Sequence, residues 1–314
     1  MPVAENDDGQ HVPVLLDAAI DGLRVQANGI YIDGTFGRGG HSRAILERLG
    51  SQGRLLAIDR DPHAIAAAAP LKSDSRFDIE RNEIAQLKDI ANRHGIQGRV
   101  NGLLLDLGVS SPQLDDAQRG FSFRQDGPLD MRMDPSTGQS AAEWLATVNE
   151  KTLKQVLKEY GEERFAGRIA RAVVTARDSN AITRTAELAE LIAANVPHQR
   201  ERKHPATRSF QAIRIAVNNE LGQLDEVLDA SIDVLAPAGR LCVISFHSLE
   251  DRRVKRFIRT QSRESEAYRG MPDVPAEHRP KLKTIGKAIS ATAAEIAANA
   301  RSRSARLRIA ERSQ

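Results

Sequence analysis

Hydrophobic and polar positions alternate in blocks between about residues 29 and 107. Short apolar runs are separated by stretches in which apolar residues recur every three or four positions. The runs predict buried strands, and the stretches between them predict helices. The predicted strands are residues 29–33, 54–59, 77–80 and 100–107. Strands that alternate with helices build a parallel sheet, so this part of the chain predicts an α/β fold.

The intervening helices are predicted from periodicity and from capping residues. Residues 42–49 and 84–92 carry helical patterns. A third helix is predicted between these two, with Asp61 as its N-cap and Pro62 as its first residue.

The alternation then stops for about a hundred residues. Residues 112–137 are rich in Gly, Pro, Asp and Ser and predict a long irregular connection, whereas residues 141–195 carry helical periodicity. A further helix is predicted over residues 210–235, followed by a strand at 240–246. An antiparallel hairpin over 282–288 and 305–310 would lie at the sheet edge.

These patterns predict one sheet domain interrupted by an insertion. Residues 1–113 and 211–314 would form the sheet domain, and residues 114–210 an inserted helical domain.

Composition narrows the class of protein. No apolar run approaches the roughly 20 residues that a transmembrane helix needs, and the polar, acidic start does not resemble an export signal. Cys242 is the only cysteine, which excludes an internal disulfide and a cysteine-based zinc cluster. The histidines are scattered, so no metal site is expected. We expect a soluble protein of the reducing cytoplasm.

Charge is unevenly distributed. The net charge is +3, but residues 250–314 contain 16 Lys and Arg against 8 Asp and Glu. Such a block is more often a solvated surface than a binding site, so nucleic-acid contact is only one interpretation of it.

A glycine-rich loop joins the first predicted strand to the first predicted helix. Gly34, Gly37, Gly39 and Gly40 lie within seven positions, where a turn brings backbone N–H groups close to a ligand. An ordinary strand-to-helix turn is the simpler alternative, but this glycine density favours a nucleotide-type ligand. Ser42 occupies the position where a dinucleotide fingerprint requires glycine, which weakens the prediction of a pyrophosphate site.

Two acidic residues follow later strands. Asp59 ends the second strand, where a carboxylate can accept hydrogen bonds from ribose hydroxyls of S-adenosylmethionine or of NAD. Asp106 follows three leucines at the end of the fourth strand and is costly to bury unless it binds something. Ligands of open α/β sheets bind beyond the carboxyl ends of the strands, so both residues should face the same crevice.

A series of motifs, in order along nearly the whole chain, resembles a known family. They lie at residues 11–15 (HVPVL), 33–42, 106–113, 119–123, 128–135, 204–208 (HPATR), 210–214, 245–251 and 301–304. The family is the bacterial small-subunit ribosomal RNA methyltransferase H family. The resemblance implies a class I, Rossmann-like methyltransferase fold with a helical insertion. It also implies methyl transfer from S-adenosylmethionine to the N4 exocyclic amine of cytidine 1402, in the decoding region of 16S ribosomal RNA within the small subunit.

Carried over residue by residue, the resemblance implies a cofactor site. Its members would be Gly39, Gly40, His41, Asp59, Ile84, Asp106 and Gln113. The family carries an aromatic residue where this chain has Ile84, so apolar packing replaces adenine stacking there. A second departure is Ala300, where the family has proline.

The chemistry of an amine target suggests catalytic residues. The N4 lone pair is conjugated into the ring, so an enzyme must accept hydrogen bonds from the amine while it aligns the methyl group, and no covalent enzyme intermediate is needed. Amino-methyltransferases use an Asp/Asn/Ser-Pro-Pro-aromatic tetrapeptide. Ser111 and Pro112 match it only in part, and with Asp106 they are the candidate catalytic residues. Phe121, Phe123, Phe246 and His247 are candidates to stack on the base.

Two other functions remain open at this point. An NAD-dependent oxidoreductase is disfavoured by Ser42, and a non-catalytic RNA-binding assembly factor would retain the pocket without turnover. Oligomeric state, monomer or homodimer, does not follow from the sequence.

A basic cluster provides the first prediction. Arg200, Arg202, Lys203, Arg208 and Arg214 are the candidate RNA contacts. Replacing the first four together by serine should leave S-adenosylmethionine binding intact and weaken binding to small ribosomal subunits. The salt slope of binding should fall by about one for each phosphate group that the variant no longer neutralises. A salt titration of subunit binding checks this, and an unchanged slope would identify the cluster as a solvated surface.

Overall fold

The protein is described by a computed structural model. Its described residues are 13–197, 204–264, 268, 275 and 278–314. The chain divides into two compact units. Unit 1 comprises residues 1–108 and 223–314, and unit 2 comprises residues 109–222.

Unit 1 is built on a seven-stranded sheet. Its strands are β1 Ile30–Asp33, β2 Arg54–Asp59, β3 Phe77–Arg81, β4 Val100–Asp106, β5 Leu235–Ser245, β6 Leu282–Ser290 and β7 Arg306–Arg312. Their order is β3-β2-β1-β4-β5-β7-β6, with β1 to β5 parallel and β7 antiparallel to both of its neighbours. This order, with a reversed strand inserted beside the edge, is that of class I methyltransferases, so the predicted fold class is confirmed.

The helices connect the strands and form most of unit 2. They are α1 Leu16–Leu23, α2 Gly40–Arg48, α3 Pro62–Ala67, α4 Leu87–Arg93, α5 Ser111–Asp115, α6 Ala141–Thr147, α7 Glu150–Gly161, α8 Ala166–Ser179, α9 Thr185–Asn195, α10 Thr207–Asn218, α11 Glu220–Val234, α12 Ser248–Gln261 and α13 Ala293–Ala298. No helix of the described residues is long and apolar enough to cross a membrane.

The sheet buries both of its faces. Neighbouring residues of a strand point to opposite faces, so Tyr31 and Leu104 belong to one apolar cluster while Ile32 and Leu103 belong to the other. The first cluster is covered by α1, α2 and α3, and the second by α4, α11 and α12. Burial on both faces explains why the central strands are continuous apolar runs.

Unit 2 has an apolar core of its own. Leu153 of α7, Ile169 of α8, Leu188 of α9 and Phe210 of α10 are all buried in one cluster. Leu129, from the segment before α6, joins them.

The predicted strands and the hairpin are confirmed, but two predicted elements were wrong in detail. The helix expected over residues 210–235 is two helices, because Asn219 adopts a left-handed conformation with φ 49° between α10 and α11. The connection expected over residues 112–137 contains α5, since Pro112 is tolerated in the first turn of a helix.

The division into units also differs from the predicted insertion of residues 114–210. Unit 2 starts earlier, at Val109, and continues to Gly222. The physical reason is that Val109 packs against the unit 2 core, and that α10 contributes Phe210, Ala212 and Ile213 to it.

Candidate functional site

Three carboxyl groups lie at the carboxyl ends of adjacent parallel strands in unit 1. Asp33 ends β1, Asp59 ends β2 and Asp106 ends β4. Because β1 lies between β2 and β4, the three side chains lie at neighbouring strand ends. Ligands of open α/β sheets bind at this edge.

Asp33 anchors the start of the glycine-rich loop. One carboxylate oxygen accepts a hydrogen bond from the Ser42 hydroxyl at 2.7 Å, and the other accepts from the Thr35 backbone N–H at 3.2 Å. Burial raises the pKa of Asp33 to about 6, and the two hydrogen bonds oppose that rise. Ser42 therefore has a structural reason to stand where a dinucleotide site would need glycine.

Asp59 holds the other side of the loop. Its Oδ2 accepts a hydrogen bond from the Gly37 N–H at 2.8 Å, and its Oδ1 accepts from the Asp61 N–H at 2.9 Å. Burial raises the pKa of Asp59 to about 6. The helix cap is Asp61, whose carboxylate accepts from the His63 N–H at 2.9 Å, so Asp59 is not needed for that role.

The loop has the backbone conformation that its glycines predict. Gly39 has φ 73°, in the left-handed region that side chains disfavour, and a Cβ atom there would lie 2.6 Å from the ring of Phe36. A Cβ atom on Gly40 would lie 2.2 Å from Pro13 Cγ. The main chain at the start of α2 is therefore packed too closely for any larger residue.

Asp106 and His41 form the least satisfied part of the site. The Asp106 backbone N–H donates to Thr35 Oγ1 at 2.6 Å, but its side-chain Oδ1 is buried without a hydrogen-bond partner among the described residues. His41 Nδ1 lies 3.7 Å from Asp106 Oδ2, too far for a hydrogen bond. His41 Nε2 is likewise buried and unpartnered within the described part of the chain.

The electrostatics of this pair follow from burial. Desolvation raises the pKa of Asp106 well above its usual value, and the nearby Asp33 and Glu250 carboxylates raise it further. Desolvation lowers the pKa of His41 to about 4, so the imidazole is neutral at neutral pH and does not compensate the carboxyl group. Buried polar atoms are normally hydrogen-bonded, so this arrangement indicates a binding site for a polar ligand.

Ile84 borders the same loop. It lies just after β3, and its Cγ2 would be 3.8 Å from a Cβ atom built on Gly34. The side chain is half-buried against the core, so its exposed part can pack against an apolar part of a ligand. Its predicted contact with the cofactor stays a prediction.

The other predicted site residues near Asp106 in sequence belong to unit 2. Ser111, Pro112 and Gln113 form the first turn of α5, and Ser111 and Gln113 are buried. The Gln113 side-chain oxygen accepts from the Ser110 N–H at 2.9 Å, which stabilises the start of α5. The predicted catalytic roles of Ser111 and Pro112 and the predicted cofactor contact of Gln113 stay predictions.

The predicted RNA contacts fall into three groups. Arg200, Arg202 and Lys203 lie outside the described residues. Arg208 is half-buried on α10. Arg214 donates two hydrogen bonds to the Glu220 carboxylate, at 2.7 and 2.8 Å, and its side chain is only 14% exposed. The Arg214 charge is therefore paired with Glu220 inside unit 2. Its predicted RNA contact stays a prediction.

The predicted stacking residues have mostly structural contacts. Phe121 is buried in the unit 2 core. Phe123 packs against the rings of His204 and Phe210, each at 4.7 Å between centroids. His247 precedes α12 in unit 1, where its Nδ1 accepts from the Glu250 N–H at 3.4 Å.

Sequence reasoning missed the supporting polar residues. Asp33, Thr35 and Ser42 were noted only as parts of a motif, although their hydrogen bonds fix the loop and the Asp106 backbone. An acidic residue at a strand end, followed by hydroxyl residues at both ends of a glycine-rich loop, was the available signal.

Comparison with known proteins relates this chain to methylases. The model of the MraW methylase family matches residues 8–313. Among solved structures, the chain is similar to an rRNA methylase from Streptococcus thermophilus, with 11% identity, a TM-score of 0.41, and coverage of 97% of this chain and 99% of that chain. It is also similar to a SAM-dependent O-methyltransferase from Thermotoga maritima, with 10% identity, a TM-score of 0.40, and coverage of 100% and 68%. These two likenesses are too distant to assign an activity.

Asp59 provides a test of the site. We expect Asp59→Ala to lower the affinity for S-adenosylmethionine by about 5- to 150-fold, equivalent to about 1 to 3 kcal/mol, because the ribose hydroxyls and the Gly37 N–H lose their acceptor. Calorimetric titration measures the change.

A neighbouring variant serves as the control. Asp61→Ala removes the cap of α3 but keeps the backbone N–H that donates to Asp59, so it should cost about 0.5 to 2 kcal/mol of stability and leave cofactor affinity unchanged. A folded Asp59→Ala protein with wild-type affinity would falsify the assignment.

Proposed function

The chain belongs to the MraW methylase family, and from that premise we propose that it methylates the N4 exocyclic amine of one cytidine in 16S ribosomal RNA. The coarser statement follows from the family itself: the protein is an S-adenosylmethionine-dependent methyltransferase of ribosomal RNA. The oxidoreductase alternative is thereby excluded. The target nucleotide and the transfer mechanism are the proposal.

The residues of unit 1 fit S-adenosylmethionine. The ligand carries positive charge on sulfur and on its amino group, and the site offers three carboxyl groups whose charged forms are disfavoured by burial. Asp106 Oδ1 and His41 Nε2, which have no hydrogen-bond partner among the described residues, are further polar atoms that a ligand would satisfy. A cationic ligand also lowers the pKa of neighbouring carboxyl groups, so its binding would favour the carboxylate forms.

Four of the predicted cofactor residues of unit 1 have a proposed part in holding the cofactor. Asp59 would accept hydrogen bonds from the ribose hydroxyls through lone pairs not used by Gly37 and Asp61. Gly39 and Gly40 would allow the backbone to approach the ligand, and Ile84 would pack against its apolar surface. When bound, the cofactor supplies a methyl group activated by attachment to positively charged sulfur.

The observation that carries the amine mechanism is the Oδ1 atom of Asp106, which is buried and has no hydrogen-bond partner among the described residues. As a carboxylate it can accept a hydrogen bond from an amine N–H, which draws the nitrogen lone pair out of conjugation. Burial strengthens such an interaction because water does not screen it. We assign Asp106 this role, with Ser111 and Pro112 as proposed further acceptors through their hydroxyl and carbonyl oxygens.

The surroundings of Cys242 support transfer without a covalent enzyme intermediate. Its thiol is fully buried in β5 within the apolar cluster that contains Tyr31 and Leu104. Burial raises the pKa of Cys242 to about 12, so the reactive thiolate is absent at neutral pH. Methylation of cytosine carbon 5 requires a cysteine nucleophile, and this residue is not suited to that task.

The proposed substrate is cytidine 1402 of the decoding region, presented by the small ribosomal subunit in the cytoplasm. The resemblance of the motifs at residues 106–113 and 204–214 to those of the N4-methylating family supports this choice. A non-catalytic assembly factor would not need an acceptor such as Asp106 in the site.

Nucleoside analysis tests the proposed function. Small subunits from cells that lack the protein, incubated with the purified protein and S-adenosylmethionine, should gain N4-methylcytidine in the 16S RNA as measured by mass spectrometry. Formation of 5-methylcytidine would contradict the amine mechanism, and the absence of any product would favour the assembly-factor alternative. Asp106→Asn should reduce turnover by about 100-fold or more, because the amide lacks the negative charge that strengthens a hydrogen bond accepted from the amine.

A second variant tests the role of the cysteine. Cys242→Ala should retain methyl transfer near the wild-type rate and lose about 1 kcal/mol of stability, because one buried heavy atom is removed from the core. Turnover and a thermal unfolding midpoint check this pair of expectations. A folded variant that binds the cofactor but has no turnover would contradict direct transfer and favour a covalent enzyme intermediate.

A further inference from the structure

Helix α12 of unit 1 has two faces of opposite character. Val254 and Ile258 are buried in the core that covers one side of the sheet, and Phe257 packs partly against it. The other face is exposed and basic over the length of the helix and just beyond it. Its exposed cations are Arg252, Lys255, Arg256, Arg259 and Arg263. Their spacing of three or four residues places them along one stripe of the helix.

Four of these cations have no counter-charge among the residues that the structure describes. Lys255, Arg256, Arg259 and Arg263 form no ion pair or hydrogen bond with any described residue. Cations at the side of the same helix are neutralised, since Arg253 lies 3.2 Å from Asp225. We name Lys255, Arg256, Arg259 and Arg263 the α12 basic face.

The charge is segregated rather than merely abundant. The neighbouring helix α11 exposes an acidic set, Asp225, Glu226, Asp229 and Asp233. Like charges three or four residues apart on a helix repel one another, so the α12 basic face destabilises its own helix. Placing acids and bases on separate helices lowers the stability of the fold, but it creates a positive surface that attracts a polyanionic partner.

The position of α12 connects this face to the candidate site. Asp106 pairs with Ile244 of β5 in the sheet, β5 ends at Ser245, and α12 begins at Ser248. The helix therefore begins beside the carboxyl edge of the sheet, where Asp33, Asp59 and Asp106 lie. Its 14 residues extend about 21 Å from there, so the basic face leads away from the site along the surface of unit 1.

We propose that the α12 basic face binds backbone phosphates of the ribosomal RNA substrate at a distance from the target nucleotide. This inference rests on the proposed function, which makes a structured RNA the partner. Exposed arginine and lysine side chains that pair with none of the described residues can approach phosphate groups with none of the described ion pairs to break. The contact positions the RNA and carries no sequence information, because phosphates are the same at every nucleotide.

The test compares two charge-matched triple variants. One replaces Lys255, Arg256 and Arg259 by serine. The control replaces Arg54, Lys72 and Arg99 by serine, which are also exposed cations of unit 1. Arg54 and Arg99 stand at the amino ends of β2 and β4, at the opposite edge of the sheet from the three carboxyl groups. Both variants lose the same net charge, so any difference between them reflects position.

The expected result is specific to the α12 variant. Its affinity for small subunits should fall by about tenfold or more at physiological salt, and the slope of log affinity against log salt should become shallower by about two to three. The control variant should bind with nearly the wild-type slope. Affinity for S-adenosylmethionine should be unchanged in both, and thermal unfolding should show that both are folded.

Two results would overturn the proposal. Equal losses in both variants would mean that only net charge matters. A loss for whole subunits with no loss for protein-free 16S RNA would mean that an acidic ribosomal protein, and not RNA phosphate, contacts the face. The methylated nucleoside formed by the wild-type protein reports on the proposed function separately, so a failure of one inference is distinguishable from a failure of the other.

Discussion

The site of unit 1 is organised around three carboxyl groups at the carboxyl ends of β1, β2 and β4, of which Asp33 is removed from water and Asp59 and Asp106 are half-buried. Burial makes each charged form unfavourable. Asp33 and Asp59 offset part of that cost with hydrogen bonds from the glycine-rich loop and from Ser42. Asp106 has no such compensation among the described residues, which marks where a ligand must contribute.

The same hydrogen bonds that satisfy two of the acids also shape the loop. Asp33 holds its beginning and the start of α2, while Asp59 holds its middle at Gly37. The Thr35 hydroxyl accepts from the Asp106 backbone, which joins the loop to the end of β4. Loop shape and acid placement therefore depend on each other, so a change in one alters the other.

Acidic and basic side chains of unit 1 are concentrated on different surfaces. The three acids lie at the carboxyl edge of the sheet, whereas bases that pair with none of the described residues lie on the exposed face of α12. The first group suits a small cationic ligand and the second suits an extended polyanion. In the proposed assignment the strand ends hold the cofactor and the covering helix α12 contacts RNA, so the sheet keeps the two surfaces apart.

The sequence alone determined the elements that depend on local patterns. Buried strands such as Ile30–Asp33 and Val100–Asp106 are continuous apolar runs, and the glycines at residues 34–40 require a turn whatever surrounds them. The Asp61 cap was also predictable, because it acts on N–H groups two residues away.

The tertiary structure decided which distant groups meet and which remain alone. The break at Asn219 divides a helix whose apolar periodicity continues, and the Glu220 partner of Arg214 appears only once that break is made. Asp106 and His41 come together because β4 lies beside β1, a neighbour relation that strand order sets and sequence spacing does not. Unpartnered atoms are visible only after every contact is formed, because a hydrogen bond that is missing leaves no pattern in the chain.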